Sequence, residues 1–151
     1  MTTRNVRVTK RFSFEMAHAL SCHDGQCAYI HGHSYVLDVT VQGSPMDERG
    51  HPKDGMVIDF ADLKAIIKRT VIDRYDHALV LHERDRSATQ LNDPLFGRTL
   101  FTPWQPTCEN LLLDIVEQVR TALPPNVLLG SVRLQETATS WADWEMTDGV
   151  R

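Results

Sequence analysis

Two histidines one residue apart, in the string Cys27-Ala28-Tyr29-Ile30-His31-Gly32-His33, are the most chemically suggestive feature of the chain. On a β-strand, side chains return to the same face every second residue, so His31 and His33 would project together. A metal pair is then built in. His18, upstream, can supply a third imidazole. Three nitrogen ligands leave one coordination position open, which distinguishes a catalytic zinc site from a closed structural one. Cys27 sits one short turn before the strand, close enough to touch whatever such a metal holds.

Two further places carry usable chemistry. Asp76-His77 pairs a carboxylate with an imidazole. Adjacent residues do not easily share one hydrogen bond with each other, so each is expected to reach a different third group. Glu136 ends an apolar run with a carboxylate, which either emerges into solvent at a strand end or is held there to bind something.

The elements that must position these residues are legible as periodicity. From Val6 to Met16 apolar and polar residues alternate, with only Lys10 out of step, which predicts a half-buried strand whose inward parity continues to His18. Tyr35, Leu37, Val39 and Val41 share the parity of His31 and His33. Two antiparallel strands joined by the loop at 19–30 would set His18 opposite the histidine pair. A lone histidine in such a place is more often a buried ring bonded to a backbone carbonyl, but His18 is not alone.

Asp59, followed by Asp62, reads as the N-cap of an amphipathic helix with Phe60, Leu63, Ile66, Ile67 and Val71 on one face. Thr107, with Glu109 in the first turn, caps a second helix striped by Leu111, Leu112, Ile115, Val116, Val119 and Leu123 and stopped by Pro124-Pro125. Leu128, Val132, Leu134 and Glu136 share one parity of a third strand, and Trp141 to Met146 forms a fourth. The expected order is ββααββ, one domain over 1–151 with an exposed excursion at about 83–105.

Composition narrows the partner. There are 16 basic and 20 acidic residues, a net charge of -4, and no lysine or arginine run, which argues against nucleic acid or a membrane surface and for a small molecule. Three cysteines without a Cys-x-x-Cys pair suit a reducing compartment. No apolar run approaches a bilayer span and the first ten residues lack a secretory core, so a soluble, cytoplasmic protein is expected.

The strings Phe12-Ser13-Phe14-Glu15-Met16-Ala17-His18, Cys27-x-x-x-His31-Gly32-His33, Gly55-Met56-Val57-Ile58-Asp59-Phe60, Asp76-His77, Pro106-Thr107-Cys108-Glu109-Asn110 and Gln135-Glu136-Thr137 together resemble the signature set of the 6-pyruvoyltetrahydropterin and 6-carboxytetrahydropterin synthase superfamily. The resemblance implies an α+β tunnelling fold (T-fold), an antiparallel four-stranded sheet with two helices on one face. It implies homo-oligomers, hexamers or tetramers, with active sites between subunits. It also implies zinc on His18, His31 and His33, a catalytic Cys27 partnered by Asp76 and His77, a pterin anchored by Glu136, and Thr107 and Glu109 lining the pterin pocket.

The three-residue spacer between Cys27 and His31 resembles the 6-carboxytetrahydropterin synthases of queuosine (7-deazapurine) biosynthesis, the pyruvoyl enzymes having a longer one. The activity this implies is conversion of 7,8-dihydroneopterin triphosphate to 6-carboxy-5,6,7,8-tetrahydropterin, releasing acetaldehyde and triphosphate. Other readings are a 6-pyruvoyltetrahydropterin synthase, a non-catalytic metal- or pterin-binding homologue, and a cupin-type oxygenase. The last is disfavoured because no glutamate follows the His-x-His closely and two amphipathic helices suit a cupin barrel poorly. Arg11, Lys53 and Arg133 are candidates for gripping the triphosphate.

Overall fold

The alternation in the first forty positions folds as a long hairpin. In the computed structural model, which describes residues 4–149, β1 (Val6–His18) and β2 (His31–Gly43) pair antiparallel along their whole length, with His18 directly opposite His31 and Met16 opposite His33. β5 (Leu128–Thr137) adds antiparallel to β2, and β6 (Ser140–Glu145) to β5. On the other edge, β3 (Ala78–His82) runs parallel to β1 and β4 (Thr99–Thr102) parallel to β3. The sheet is therefore six-stranded and mixed, in the order β4-β3-β1-β2-β5-β6.

This corrects the four-stranded antiparallel expectation. β3 and β4 are too short to declare a period of two, and they become strands only by pairing beside β1. Their parallel pairing also explains the excursion. Parallel neighbours cannot be joined by a tight hairpin and need a crossover, so residues 83–98 travel back through two 3-10 turns, Glu83–Ala88 and Pro94–Phe96. The end of the predicted excursion is part of the sheet.

Both helices start where their caps predict. The Asp59 carboxylate accepts from the Ala61 amide at 2.8 Å and opens α1 (Phe60–Ile67), which continues through a π turn (Lys68–Ile72) into α2 (Asp73–Tyr75). The Thr107 hydroxyl accepts from the Asn110 amide at 3.2 Å and opens α3 (Cys108–Ala122). Leu63, Ile67 and Val71, with Leu111, Ile115, Val116 and Val119, pack fully buried against Tyr35, Leu37, Val39, Val41 and Leu134 of the sheet. Phe60 does not join that stripe: it lies half exposed at the first turn, with the Lys10 ammonium 5.8 Å from its ring.

The opposite face of the sheet is polar, carrying the bidentate pairs Arg11–Asp38 and Arg133–Asp143. One face packed and one polar is what period-two alternation demands. Two bulges modify it on β5. At Gly130 the register with β2 slips by one residue, so Leu129 turns inward and Leu128, expected inward, is exposed. The second, against β6, falls at Glu136. Among the described residues no helix is long and apolar enough to cross a membrane.

Candidate metal centre and active site

The packed face ends in histidines. His18, His31 and His33 stand at the loop end of the β1–β2 hairpin, each offering a nitrogen within 4.8 Å of the others. His18 is buried, and its Nδ1 lies 2.6 Å from the carbonyl of Pro106; His31 Nδ1 lies 2.7 Å from the carbonyl of Tyr29. A carbonyl oxygen can only accept, so both Nδ1 atoms carry the proton and both Nε2 atoms present a lone pair. Those Nε2 atoms face each other across 3.0 Å.

Two lone pairs that close repel unless something positive lies between them. Burial also lowers the His18 pKa, with the Pro106 carbonyl acting the other way, so a neutral ring, the form that binds metal, is favoured. The third ring points to the same answer. His33 Nε2 is buried and has no hydrogen-bond partner, a state that buried polar atoms seldom tolerate. The separation of His18 from His31 is close to the roughly 3.3 Å edge of a tetrahedron with ~2.05 Å bonds. Three converging imidazoles, two of them oriented by backbone carbonyls, could hold a metal ion.

Beside the triad lies a cavity of about 350 Å3 lined by Leu20, His23, Thr107, Cys108, Glu109 and Glu136, with Ser140 to Ala142 closing it. Glu136 reaches it by continuing the inward parity of Val132 and Leu134, at the point where the pairing with β6 is bulged. One carboxylate oxygen accepts from the Tyr35 hydroxyl at 3.2 Å and the other lies 3.9 Å from His33 Nε2. Burial, then the charge of Glu136, raises the Tyr35 pKa, keeping the phenol a donor. Cys108 also lines the cavity but is no nucleophile: burial, reinforced by Glu136 and Glu109, pushes its thiol up to about 12.

Cys27 occupies a 3-10 turn (Gln26–Ala28) in the loop between His18 and His31, half-buried, and is not one of the clustered ligands. Asp76 and His77 lie elsewhere. Asp76 Oδ1 accepts from the Glu15 amide at 2.9 Å, and the His77 amide donates to the Glu15 carbonyl at 2.6 Å. His77, with Glu15, Ala17, Ser34 and Leu79, borders a second cavity of about 370 Å3 that His33 also lines. Both residues are thus held by the Glu15 backbone on β1, and neither bonds to a ring of the triad in its own chain.

Asp76 reaches a third group, the Glu15 amide, as expected, and also makes a close contact with its neighbour. His77 adopts φ 61°, and its Nδ1 comes to 3.1 Å from Asp76 Oδ2. Left-handed backbone is uncommon for a residue with a side chain. Here it is what lets neighbours in sequence pair.

The sequence reading assigned no role to Tyr35, although its parity with His33 was visible. Nor did it anticipate the carbonyls of Pro106 and Tyr29, which carry no residue-type signal. Arg11 and Arg133 are each held by a carboxylate, and Lys53 is paired with Asp62, so an incoming phosphate would have to compete for all three.

A mixed sheet with its helices on one face, a three-imidazole cluster at the hairpin end and an adjoining carboxylate-lined cavity define an α+β protein with a candidate metal centre. The 6-pyruvoyl tetrahydropterin synthase family model matches residues 7–146, and the chain belongs to that family. Over 142 residues it is 35% identical to the 6-carboxy-5,6,7,8-tetrahydropterin synthase of Haemophilus influenzae, covering 92% of this chain and 98% of that protein. Its fold matches that of an uncharacterized Wolinella succinogenes protein with a TM-score of 0.75 at 20% identity, over 95% of this chain and 99% of the other. The Caenorhabditis elegans 6-pyruvoyl tetrahydropterin synthase matches with a TM-score of 0.68 at 24% identity, over 95% and 96% of the two chains.

Proposed function

We propose that this chain is a zinc-dependent lyase that converts 7,8-dihydroneopterin triphosphate to 6-carboxy-5,6,7,8-tetrahydropterin, releasing acetaldehyde and triphosphate, in queuosine-type 7-deazapurine biosynthesis. The observation that carries the reading is the convergence of the His18 and His31 lone pairs beside the unpartnered His33 nitrogen, one ion pair's length from Glu136. The three-residue spacer after Cys27 and the name of the Haemophilus influenzae relative support the carboxy product. Zinc on the triad, when bound, acts as a Lewis acid that acidifies the hydroxyls of the substrate side chain.

The chain's own groups supply the rest. Glu136 accepts the paired N–H donors of the pterin's pyrimidine edge, a bidentate task for which a carboxylate is suited, and Tyr35 fixes its orientation. Thr107 and Glu109 line the ring's pocket. Cys27 as thiolate moves a proton at the side-chain carbons, and His77, oriented by Asp76, relays it. Asp76 and His77 bond to no ring of the triad in their own chain, and in this reading they serve Cys27 of a neighbouring copy in a cytoplasmic homo-oligomer. Each chain, 1–151, contributes one domain.

Incubating zinc-loaded protein with 7,8-dihydroneopterin triphosphate and identifying products by mass is the direct test. 6-Carboxytetrahydropterin with acetaldehyde is expected. 6-Pyruvoyltetrahydropterin as sole product would replace the subtype, and no turnover at full zinc occupancy would reject the lyase reading.

A further inference from the structure

The corner Gln105-Pro106-Thr107, where the chain leaves β4 and enters α3, touches His18, the cavity and the loop that carries Cys27. The Pro106 carbonyl holds His18 Nδ1 at 2.6 Å. Thr107 borders the cavity and caps the helix. Gln105, which the family strings quoted above do not include, is tied at both ends of its carboxamide: Nε2 donates to the Ser21 carbonyl at 2.8 Å, and Oε1 accepts from Arg84 Nη2 at 3.1 Å. Its backbone carbonyl is held in turn by the Asn110 side chain at 2.9 Å and the Thr107 amide at 2.8 Å.

The direction of the amide is set by its partners. A carbonyl needs a donor and a guanidinium needs an acceptor, so the nitrogen must face Ser21 and the oxygen Arg84. Ser21 belongs to the loop that carries Cys27, and the residue before it closes that loop: the Leu20 amide donates to the Cys27 carbonyl at 2.8 Å. One side chain therefore links the Cys27 turn to the peptide that orients His18. On its far side it grips Arg84, in the first 3-10 turn of the crossover between β3 and β4.

We infer that Gln105 is a positioning residue of this site: its carboxamide sets where the Cys27 turn stands relative to His18, and through Arg84 it gives the 83–98 crossover a hold on that turn. This rests on Cys27 and the histidine triad being the reacting centre proposed above. It also assigns the long crossover a purpose beyond spacing two parallel strands. A displacement of about 1 Å at a reacting group can cost on the order of a hundredfold in rate, so the bond need not touch substrate to matter.

The test uses the full zinc-loaded chain with Gln105→Glu and Gln105→Ala. Glutamate keeps the shape and the Arg84 contact but turns an acceptor toward the Ser21 carbonyl. Three readouts are taken: zinc content, the rate of Cys27 alkylation by iodoacetamide located by peptide mass, and kcat and KM on 7,8-dihydroneopterin triphosphate. For both variants kcat is expected to fall by about ten- to a hundredfold, with KM near wild type, zinc retained and Cys27 alkylation altered. Arg84→Ala should move the alkylation rate in the same direction by less.

Wild-type kcat and alkylation in Gln105→Glu would overturn the inference, as would zinc loss in proportion to lost activity. An unchanged alkylation rate in Arg84→Ala would remove the crossover from it. If the wild-type chain does not turn over the pterin triphosphate, the proposed function is at fault instead. Alkylation of Cys27 in the zinc-loaded protein still decides the positioning.

Discussion

Two corners of the molecule are built from imidazole and carboxylate beside the same strand, β1, and they are opposite in character. At the triad His18 is 2% exposed, and two rings are fixed through Nδ1 by carbonyls, leaving lone pairs that converge. At the Asp76–His77 corner the imidazole is 75% exposed and the carboxylate 37%, with the carboxylate anchored to a backbone amide. Residue type is shared; burial and the identity of the backbone partner differ. Carbonyl partners leave Nε2 lone pairs that could hold a metal, whereas an amide partner at the surface favours an ionised carboxylate beside an exposed imidazole.

The contrast is most strongly tested by removing a ligand. His31→Ala should abolish stoichiometric zinc, measured by elemental analysis, and lower turnover by about a thousandfold or more. Cys27→Ala should cost about 10²–10⁴-fold, the range for a lost proton-transfer group, while zinc content stays at the wild-type level. Unaltered turnover would remove Cys27 from the mechanism.

His77→Ala should fall within the lower part of that range. If the pair serves a neighbouring chain, dissociating and reassembling inactive Cys27→Ala with inactive His77→Ala should restore about a quarter of wild-type activity by random pairing in a symmetric assembly. No recovery would place both functions in one chain. Saturating zinc should raise the melting temperature of wild type and His77→Ala alike, by the equivalent of about 2.7 kcal/mol at a hundredfold excess over Kd, and leave His31→Ala unmoved.

The smallest effect is on the acid limb of stability. The Glu15 amide first, and His77 second, hold the Asp76 pKa below the ordinary carboxylate value. A depressed folded pKa contributes stability that is complete above the unfolded value of roughly 3.9 and is lost as pH falls through the folded one. Asp76→Asn should therefore lower stability at neutral pH by less than about 1 kcal/mol, as befits a partly exposed group. In a pH series of melting curves the two proteins should converge at the acid end.

The triad was readable because strand periodicity is strict: His31 and His33 on one parity, and His18 on the inward parity of the preceding strand, leave little freedom once the two strands pair. The helix caps at Asp59 and Thr107 were readable for a similar reason, since the capping bond is local. Thr99 to Thr102 suggests at most a short strand, but the place of β3 and β4 in the sheet was not readable, because four or five residues carry too little pattern and their partners are remote in sequence. Leu128 was misplaced by a bulge at Gly130, a one-residue slip that inverts parity. The left-handed backbone of His77 has no signal in the sequence, since a positive φ at a non-glycine residue is not a matter of residue type.

By itself, then, the sequence determined which residues could bind a metal and which face of the first hairpin they would share, since alternation is a property of the backbone. Only the tertiary structure decided which nitrogen of each ring is free, because that depends on the carbonyls of Pro106 and Tyr29, and Pro106 reaches His18 across the fold. It also decided that Asp76 and His77 are held by the Glu15 backbone rather than by any ring of the triad. That attachment follows from how β3 joins β1, which no local pattern encodes.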